Sequence, residues 1–316
     1  MAGDGQGARV LVIGCGFIGS HVVTELACQH RPPIVLTRSQ PADELLPSIH
    51  AGDLHVGDAG DAEALERALE GVGHVVYCAG GLLPAHSQDD PELDAKLTLR
   101  PLRALLDALR SRPDVKLTYI SSGGTVYGEP DELPVSESAP AKPHGSYGQL
   151  HMICEQEIEL HRADHGLSAR ILRCSTVYGE RQWPERGQGV ITTFLHRIEH
   201  DREIDLYGGP TTIRDYVYVG DVAKVVVALL DREDGEVVLN VGSEEGTSLT
   251  DLLQLLAARV DRPVRVNEHG ERDFDVAAIV LDTRRLRSLI EFVPTPLERG
   301  IERTHSWLAA QTLERV

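Results

Sequence analysis

Apolar residues recur along the first half of the chain in short blocks separated by longer amphipathic stretches. Residues 9–13, 34–36, a third short block followed by His55-Val56-Gly57-Asp58, 72–78, 116–120 and 169–172 have the length and Val/Ile/Leu content of buried strands. Between them, 20–29, 61–70 and 148–165 have helical spacing. Leu102, Leu105, Leu106 and Leu109 recur at i, i+3, i+4 and i+7, the stripe of a helix packed on a core. Strands alternating with helices predict an α/β fold: a parallel, doubly wound sheet that holds ligands at the carboxyl ends of its strands.

The pattern continues less regularly beyond residue 175. Residues 187–198 suggest a loop entering a helix, 203–209 and 213–219 two short extended pieces, 221–230 a helix and 237–241 a strand. Ser248-Leu249-Thr250-Asp251 resembles a capping box, opening a helix with Leu252, Leu253, Leu256 and Val260 inward. A last helix starts near Leu297. With no internal repeat, low-complexity run or linker, a smaller mixed C-terminal part should follow the sheet directly.

Composition narrows the class. At 316 residues the chain can bury a full core, and its 4 % aromatic content with abundant Val, Leu, Ala and Gly suits packed strands and helices. A net charge of −18 argues against nucleic acid as a partner but leaves room for a small anion gripped by a few arginines. Cys15, Cys28, Cys78, Cys154 and Cys174 form no C-x-x-C pair, which predicts buried free thiols in a reducing compartment. His161 and His165 lie one turn apart without further ligands, so no metal site is expected. No apolar run approaches the ~20 residues of a membrane span, and residues 1–7 lack a signal pattern. The expectation is a soluble cytoplasmic protein.

Candidate chemistry begins at Gly14-Cys15-Gly16-Phe17-Ile18-Gly19, directly after the first strand and opening a helix. Glycines there permit a tight turn, close approach of backbone to a pyrophosphate and helix–strand packing, with the phosphates at the helix N-terminus. The second strand ends in Thr37-Arg38-Ser39, where an NAD enzyme usually carries an acid for the ribose 2′-hydroxyl. Arg38 would suit a 2′-phosphate, or is a solvated loop arginine, and NAD and NADP both stay open. Ala79-Gly80-Gly81 is a further turn where backbone can pass close to a cofactor.

Tyr147 stands at the head of a helical run with His151 four residues on, which puts a phenol and a potentially cationic imidazole on one helix face. A phenol titrates near pKa ~10, so phenolate at neutral pH needs a positive neighbour.

Together, Gly14-x-Gly16-Phe17-Ile18-Gly19-Ser20, Gly57-Asp58, Ser121-Ser122-Gly123-Gly124-Thr125-Val126-Tyr127-Gly128, Tyr147, Gly189-Val190-Ile191, Arg214-Asp215-Tyr216 and Arg272-x-x-Asp275 carry a resemblance over nearly the whole chain. The sequence resembles the extended short-chain dehydrogenase/reductase family. Within it, the nearest group is the NAD-dependent epimerase/dehydratase enzymes of nucleotide sugars, UDP-glucose 4-epimerase-like proteins above all.

The resemblance implies a Rossmann domain over 1–175, to which 216–242 returns, and a nucleotide-sugar-binding part over 176–316. It implies a dinucleotide held by Gly14, Gly16, Phe17, Ile18, Gly19, Asp58, Ala79, Gly80, Tyr147 and His151, to which Arg38 is added from its own place at the strand exit, and a nucleoside diphosphate sugar met by Thr176, Val190, Arg214, Arg272 and Asp275. Tyr147 would be the acid/base on the sugar hydroxyl, Ser122 or Thr125 its hydrogen-bonding partner, and His151 its electrostatic aid. The implied reaction removes hydride and proton at C4, lets the 4-keto sugar turn, and returns hydride to its other face. A homodimer through the helices near 102–110 and 149–165 is implied too.

The chain departs from the family pattern in four ways. His151 stands for lysine, Gly123 for serine or threonine, Thr98 and Thr176 for asparagine, and Thr37-Arg38 for the acidic ribose contact. Three functions follow as alternatives: a nucleotide-sugar 4-epimerase, an NADPH-dependent reductase of a 4-keto nucleotide sugar, or a dinucleotide-binding sensor without turnover. The loops 82–88 and 183–188 would set selectivity.

Overall fold

The structure, a computed structural model, describes residues 8–184, 189–209, 211–232, 235, 237–270, 272 and 275–314. The chain divides into two compact units. The first comprises Met1–Ser121, Gln149–Leu172 and Ala223–Leu239, and the second Ser122–Gly148, Arg173–Val222 and Asn240–Val316. Residues 122–148, between two strands of the large sheet in sequence, thus group with the second unit.

A seven-stranded sheet dominates the first unit. Its strands are β1 (Arg9–Ile13), β2 (Ile34–Thr37), β3 (Leu54–Val56), β4 (Val72–Tyr77), β5 (Lys116–Ser122), β6 (Ala169–Cys174) and β10 (Val238–Val241), in the order β10-β6-β5-β4-β1-β2-β3. β1 pairs in parallel with β2 and β4, β2 with β3, and β4 with β5. This is the doubly wound α/β arrangement that the alternating pattern predicts. β2 and β6 are buried along their whole length, as strands covered on both faces must be.

The helix Pro91–Leu109 explains how the leucine stripe is used. Asp90 caps it by accepting from the Leu93 N–H at 2.9 Å, and Pro91 sits at its first position, where a missing N–H costs nothing. Leu102, Leu105, Leu106 and Leu109 then enter one core with Leu11, Ile13, Val75, Leu117 and Ile171 of the sheet. Truncating one of these leucines to alanine would cost about 2–5 kcal/mol. All five cysteines are free; Cys154 and Cys174 are buried, and burial raises both thiols to about 12. Cys28 departs from the expectation of burial, since it lies exposed at the end of helix Phe17–Cys28. No helix among the described residues is long and apolar enough to cross a membrane.

The second unit holds the irregular half. Here β7 (Thr176–Tyr178) pairs in parallel with β9 (Ile213–Tyr218), which also pairs with β11 (Gly246–Ser248) and β13 (Ala278–Ile279). β8 (Ile204–Leu206) and β12 (Val266–Glu268) form a separate parallel pair. Ser248 caps the helix Leu249–Val260 through the Asp251 N–H; Leu252 and Leu256 are buried, whereas Leu253 and Val260 are half-buried. β7, β11, β12 and β13 are two or three residues long, too short to leave a period-2 signal, and are not separable from loop in the sequence.

Candidate active site

The glycine turn of the first unit is built to leave backbone bare. The Gly14 N–H donates to the Leu36 carbonyl at 2.8 Å, tying the turn to the end of β2. Gly14 has φ +91°, and a Cβ there would lie 2.6 Å from the backbone nitrogen of Ala79. A Cβ on Gly19 would lie 1.9 Å from the Gly14 carbonyl oxygen, so the helix Phe17–Cys28 can start against the turn only with glycine at that place. Gly16 and Gly80 meet nothing within 4 Å. A cradle closed by glycines on the protein side and open at Gly16 and Gly80 fits the pyrophosphate of a dinucleotide at a helix N-terminus. Phe17 and Ile18, in the first turn of that helix, are half-buried.

Beside this cradle, β2 ends with Thr37 buried and Arg38 exposed. The Thr37 carbonyl accepts from the Gly57 N–H at 2.9 Å, joining it to the end of β3. Asp58 is held by its own turn, accepting the Gly60 N–H at 2.7 Å.

Asp94 and Thr98 lie on the helix Pro91–Leu109 and are buried. The Oδ1 atom of Asp94 accepts from the Leu82 N–H at 2.8 Å and the Thr98 hydroxyl at 3.0 Å. A Cβ on Gly81 would collide with both side chains, so the 79–81 turn is shaped by this pair. Asp94 is not recognisable from the sequence, because one acid in an amphipathic helix carries no sign that it faces inward.

His151 corrects an expectation. It is buried on the helix Ser146–His165, with Nδ1 3.1 Å from the Tyr119 hydroxyl. Burial pushes its imidazole down to about 4, against a smaller upward pull from Glu155 and Asp94. At neutral pH it is uncharged, so the positive charge that its spacing from Tyr147 suggested is not supplied from this position. Next on the helix, Glu155 is buried and accepts from the Ser121 hydroxyl at 2.6 Å.

In the second unit, the segment from Ser122 to Gly128 splits into chemical and structural positions. The Thr125 hydroxyl donates to Ser122 Oγ at 2.8 Å, giving a linked hydroxyl pair. A Cβ on Gly148 would lie 2.6 Å from the Thr125 carbonyl oxygen, so the first turn of the helix carrying Tyr147 abuts this pair's own turn. Tyr147 is half-buried there. Tyr127, by contrast, is buried and donates to Asn240 Oδ1 at 2.7 Å, while Gly128 has φ +66° and presses on the Lys142 carbonyl. Gly123 is no simple loss of a hydroxyl. A Cβ at that position would meet Leu281 Cδ1 at 2.6 Å and the Arg173 carbonyl oxygen at 2.9 Å, so the packing is built around glycine.

Arg214 and Arg272 are the arginines of this unit that the resemblance places on a diphosphate. Arg214, on β9, is half-buried, and its guanidinium donates to the Ile213 carbonyl at 2.9 Å. Burial lowers its pKa, while the Asp275, Tyr216 and Glu129 charges pull it up and nearby Arg272 pushes it down. Arg272 pairs with Asp275 at 2.7 and 3.3 Å and lies over the Tyr207 ring at 4.8 Å. Asp215 does not pair with Arg214. It is fully buried and accepts from the Ser243 N–H and hydroxyl, the Leu281 N–H and the Ser175 hydroxyl, a junction of four chain segments.

Thr176 opens β7, with its hydroxyl oxygen 3.9 Å from where a Gly124 Cβ would sit. Val190 starts the helix Val190–Glu199 behind Gly189 at φ +83°, where a Cβ would strike the buried Gln182. Residues 185–188 of the expected selectivity loop lie outside the described residues. Sequence reasoning misses Tyr207 and Gln182; for Tyr207 the available signal is an aromatic directly before Gly208, whose φ is +86°.

Comparison with known proteins agrees with this geometry. The model of the NAD-dependent epimerase/dehydratase family matches residues 10–242. A UDP-glucose 4-epimerase of Mycolicibacterium smegmatis is 29 % identical over 310 residues, covering 94 % of this chain and 97 % of that one. A dTDP-4-dehydro-6-deoxyglucose reductase of Escherichia coli is 27 % identical over 308 residues, covering 95 % and 97 %. The crystal structure of the Thermus thermophilus UDP-glucose 4-epimerase in complex with NAD superposes with a TM-score of 0.86 at 30 % identity, over 95 % of this chain and 99 % of that one. Glycine cradle, sheet order and a family match across most of the chain converge on one assignment: this protein belongs to the NAD-dependent epimerase/dehydratase family.

Proposed function

We propose that this protein is a nucleotide-sugar 4-epimerase, interconverting the C4 epimers of a nucleoside diphosphate hexose with NAD or NADP as redox cofactor. The observation that carries this reading is the set of groups within the second unit. Tyr147 heads a helix that abuts the Ser122–Thr125 hydroxyl pair, and Arg214 and Arg272 lie near enough to influence each other's charge. The relatives named above, two UDP-glucose 4-epimerases and a dTDP-sugar reductase, support a nucleotide sugar as substrate.

The division of work follows from the side chains. Arg214 and Arg272 bind the diphosphate, since a guanidinium fork matches phosphate oxygens, and Asp275 fixes the plane of Arg272. Tyr207, stacked on His269 at 4.6 Å, carries Arg272 over its ring and helps fix that guanidinium in place. Thr176 and Val190 border the sugar. Tyr147 holds and moves the proton at the sugar O4, with the Ser122–Thr125 pair hydrogen-bonded to the same oxygen. The glycine cradle and the 79–80 turn would hold the dinucleotide through its pyrophosphate, and its nicotinamide would supply reversible hydride chemistry when bound. His151, uncharged, serves as a hydrogen-bonding group rather than as a charge.

One observation favours a second reading. A phenol donates a proton at neutral pH unless a positive charge ionises it, and burial holds His151 neutral, so His151 is not that charge. That suits proton donation to a keto oxygen, the chemistry of an NADPH-dependent 4-keto reductase. Nuclear magnetic resonance of UDP- and dTDP-hexoses incubated with the protein separates the two. An epimerase yields the C4 epimer without net cofactor consumption, whereas a reductase yields none and consumes NADPH in proportion to the 4-keto sugar supplied. Neither product from either class of substrate would sink both.

Homodimerisation belongs to the same proposal. Leu93, Ile153 and Leu160 remain exposed on the helices Pro91–Leu109 and Ser146–His165, where a partner helix pair would cover them. Light scattering giving a monomeric mass at micromolar concentration would contradict it.

A further inference from the structure

We infer that this protein selects the 2′-phosphorylated dinucleotide, NADP(H), and that the Arg38 guanidinium makes the selection. The inference rests on the dinucleotide cradle proposed above and goes beyond it in naming which dinucleotide the cradle takes.

The argument is one of position and charge at the carboxyl end of β2. Leu36, two residues before Arg38, accepts the Gly14 N–H, and Thr37 accepts the Gly57 N–H. Arg38 is therefore the first residue free of the sheet directly beside the glycine turn, where the adenosine ribose of a dinucleotide lies. An enzyme that reads the ribose 2′-hydroxyl presents a carboxylate there, which would repel a 2′-phosphate. Here the three residues at the strand exit are Thr37, Arg38 and Ser39, and none is acidic. Thr37 is buried, whereas Arg38 and Ser39 are exposed.

Arg38 is also available. It makes no hydrogen bond or ion pair with any described residue, unlike Arg9, Arg31 and Arg67 of the same unit, each committed to a carboxylate. The acid at the neighbouring strand exit, Asp58, does not engage it. Asp58 accepts the Gly60 N–H at 2.7 Å. The net effect is an uncommitted guanidinium at the ribose edge, with the carboxylate of the neighbouring strand exit turned to its own backbone. A guanidinium fork and an adjacent hydroxyl are the donors a phosphate monoester takes.

Calorimetric titration of the full chain, stripped of any co-purified nucleotide, tests this with NADP⁺, NAD⁺ and adenosine 2′,5′-bisphosphate as probes. NADP⁺ should bind roughly 10- to 100-fold tighter than NAD⁺, the range of a charge-assisted contact. Arg38→Ala should lose that margin by weakening NADP⁺ and the bisphosphate while leaving NAD⁺ unchanged. Arg38→Asp should reverse the preference. Because the side chain is exposed and unpaired, the variants should melt with the wild type, which a thermal scan verifies. Equal or tighter binding of NAD⁺ by the wild type, or NADP⁺ affinity untouched in Arg38→Ala, overturns the inference and leaves the cradle standing. A folded wild type that binds neither dinucleotide overturns the cradle itself, and the inference with it.

Discussion

Acidification should destabilise the first unit through two buried imidazoles, and the effect can be sized. Burial, aided by the Lys116 and Arg170 charges, pushes His74 down to about 3, and burial pushes His151 down to about 4. In the unfolded chain both titrate near 6.5. The native state therefore resists taking up protons that the unfolded state accepts. Stability from these groups is fully present above pH 6.5 and is lost as the pH falls toward their native values. A tenfold difference in proton affinity is worth about 1.4 kcal/mol, so at pH 4.5 each histidine withdraws about 2.5 kcal/mol, a large part of a typical domain's net stability. His74→Gln keeps a polar partner for the Thr118 hydroxyl, which lies 2.9 Å from His74 Nε2, and removes the titration. Urea unfolding at pH 7.5, 6.0, 5.0 and 4.5 should show the wild-type free energy falling steeply below pH 6.5 and the variant falling by about 2.5 kcal/mol less. Carboxylates titrate in both proteins, so the difference between the two curves isolates the histidine. Superimposable slopes for wild type and His74→Gln would refute the reasoning.

Two other outcomes follow from the packing. Gly19→Ala places a methyl group 1.9 Å from the Gly14 carbonyl oxygen, so the turn must open; dinucleotide affinity by calorimetry should fall at least about tenfold, and an unchanged affinity would contradict the cradle. Asp215→Ala strands the Ser243 and Leu281 N–H groups in the core of the second unit and should cost about 3 kcal/mol in chemical denaturation; a loss under about 0.5 kcal/mol would show that water satisfies them.

Much of this is legible in the sequence where period and chemistry coincide. Strands β1 and β2 are short apolar runs because they are buried almost throughout, and the leucine stripe at 102–109 marks its helix without ambiguity. The glycine turn can be placed because it follows β1 directly. Legibility fails where a residue's state depends on what the fold brings to it. His151 at helical spacing from Tyr147 looks like a cation on paper, but its charge is decided by burial against Tyr119, which lies 32 positions earlier. Asp215, adjacent to Arg214 in the sequence, is consumed by Ser175, Ser243 and Leu281, contacts that no local pattern encodes. Gly123 reads as a lost serine, yet Leu281 and the Arg173 carbonyl leave no space for one.

The proposal that a phenol works on the C4 oxygen of a nucleotide sugar is tested most directly by single-turnover kinetics of Tyr147→Phe. The variant keeps the ring and its packing and deletes one hydroxyl. Sugar nucleotide and dinucleotide should bind with wild-type affinity while conversion at C4 slows by about 100- to 10,000-fold, the span of a lost general acid–base group. Conversion at the wild-type rate in a variant that binds both ligands would show that the proton travels by another group.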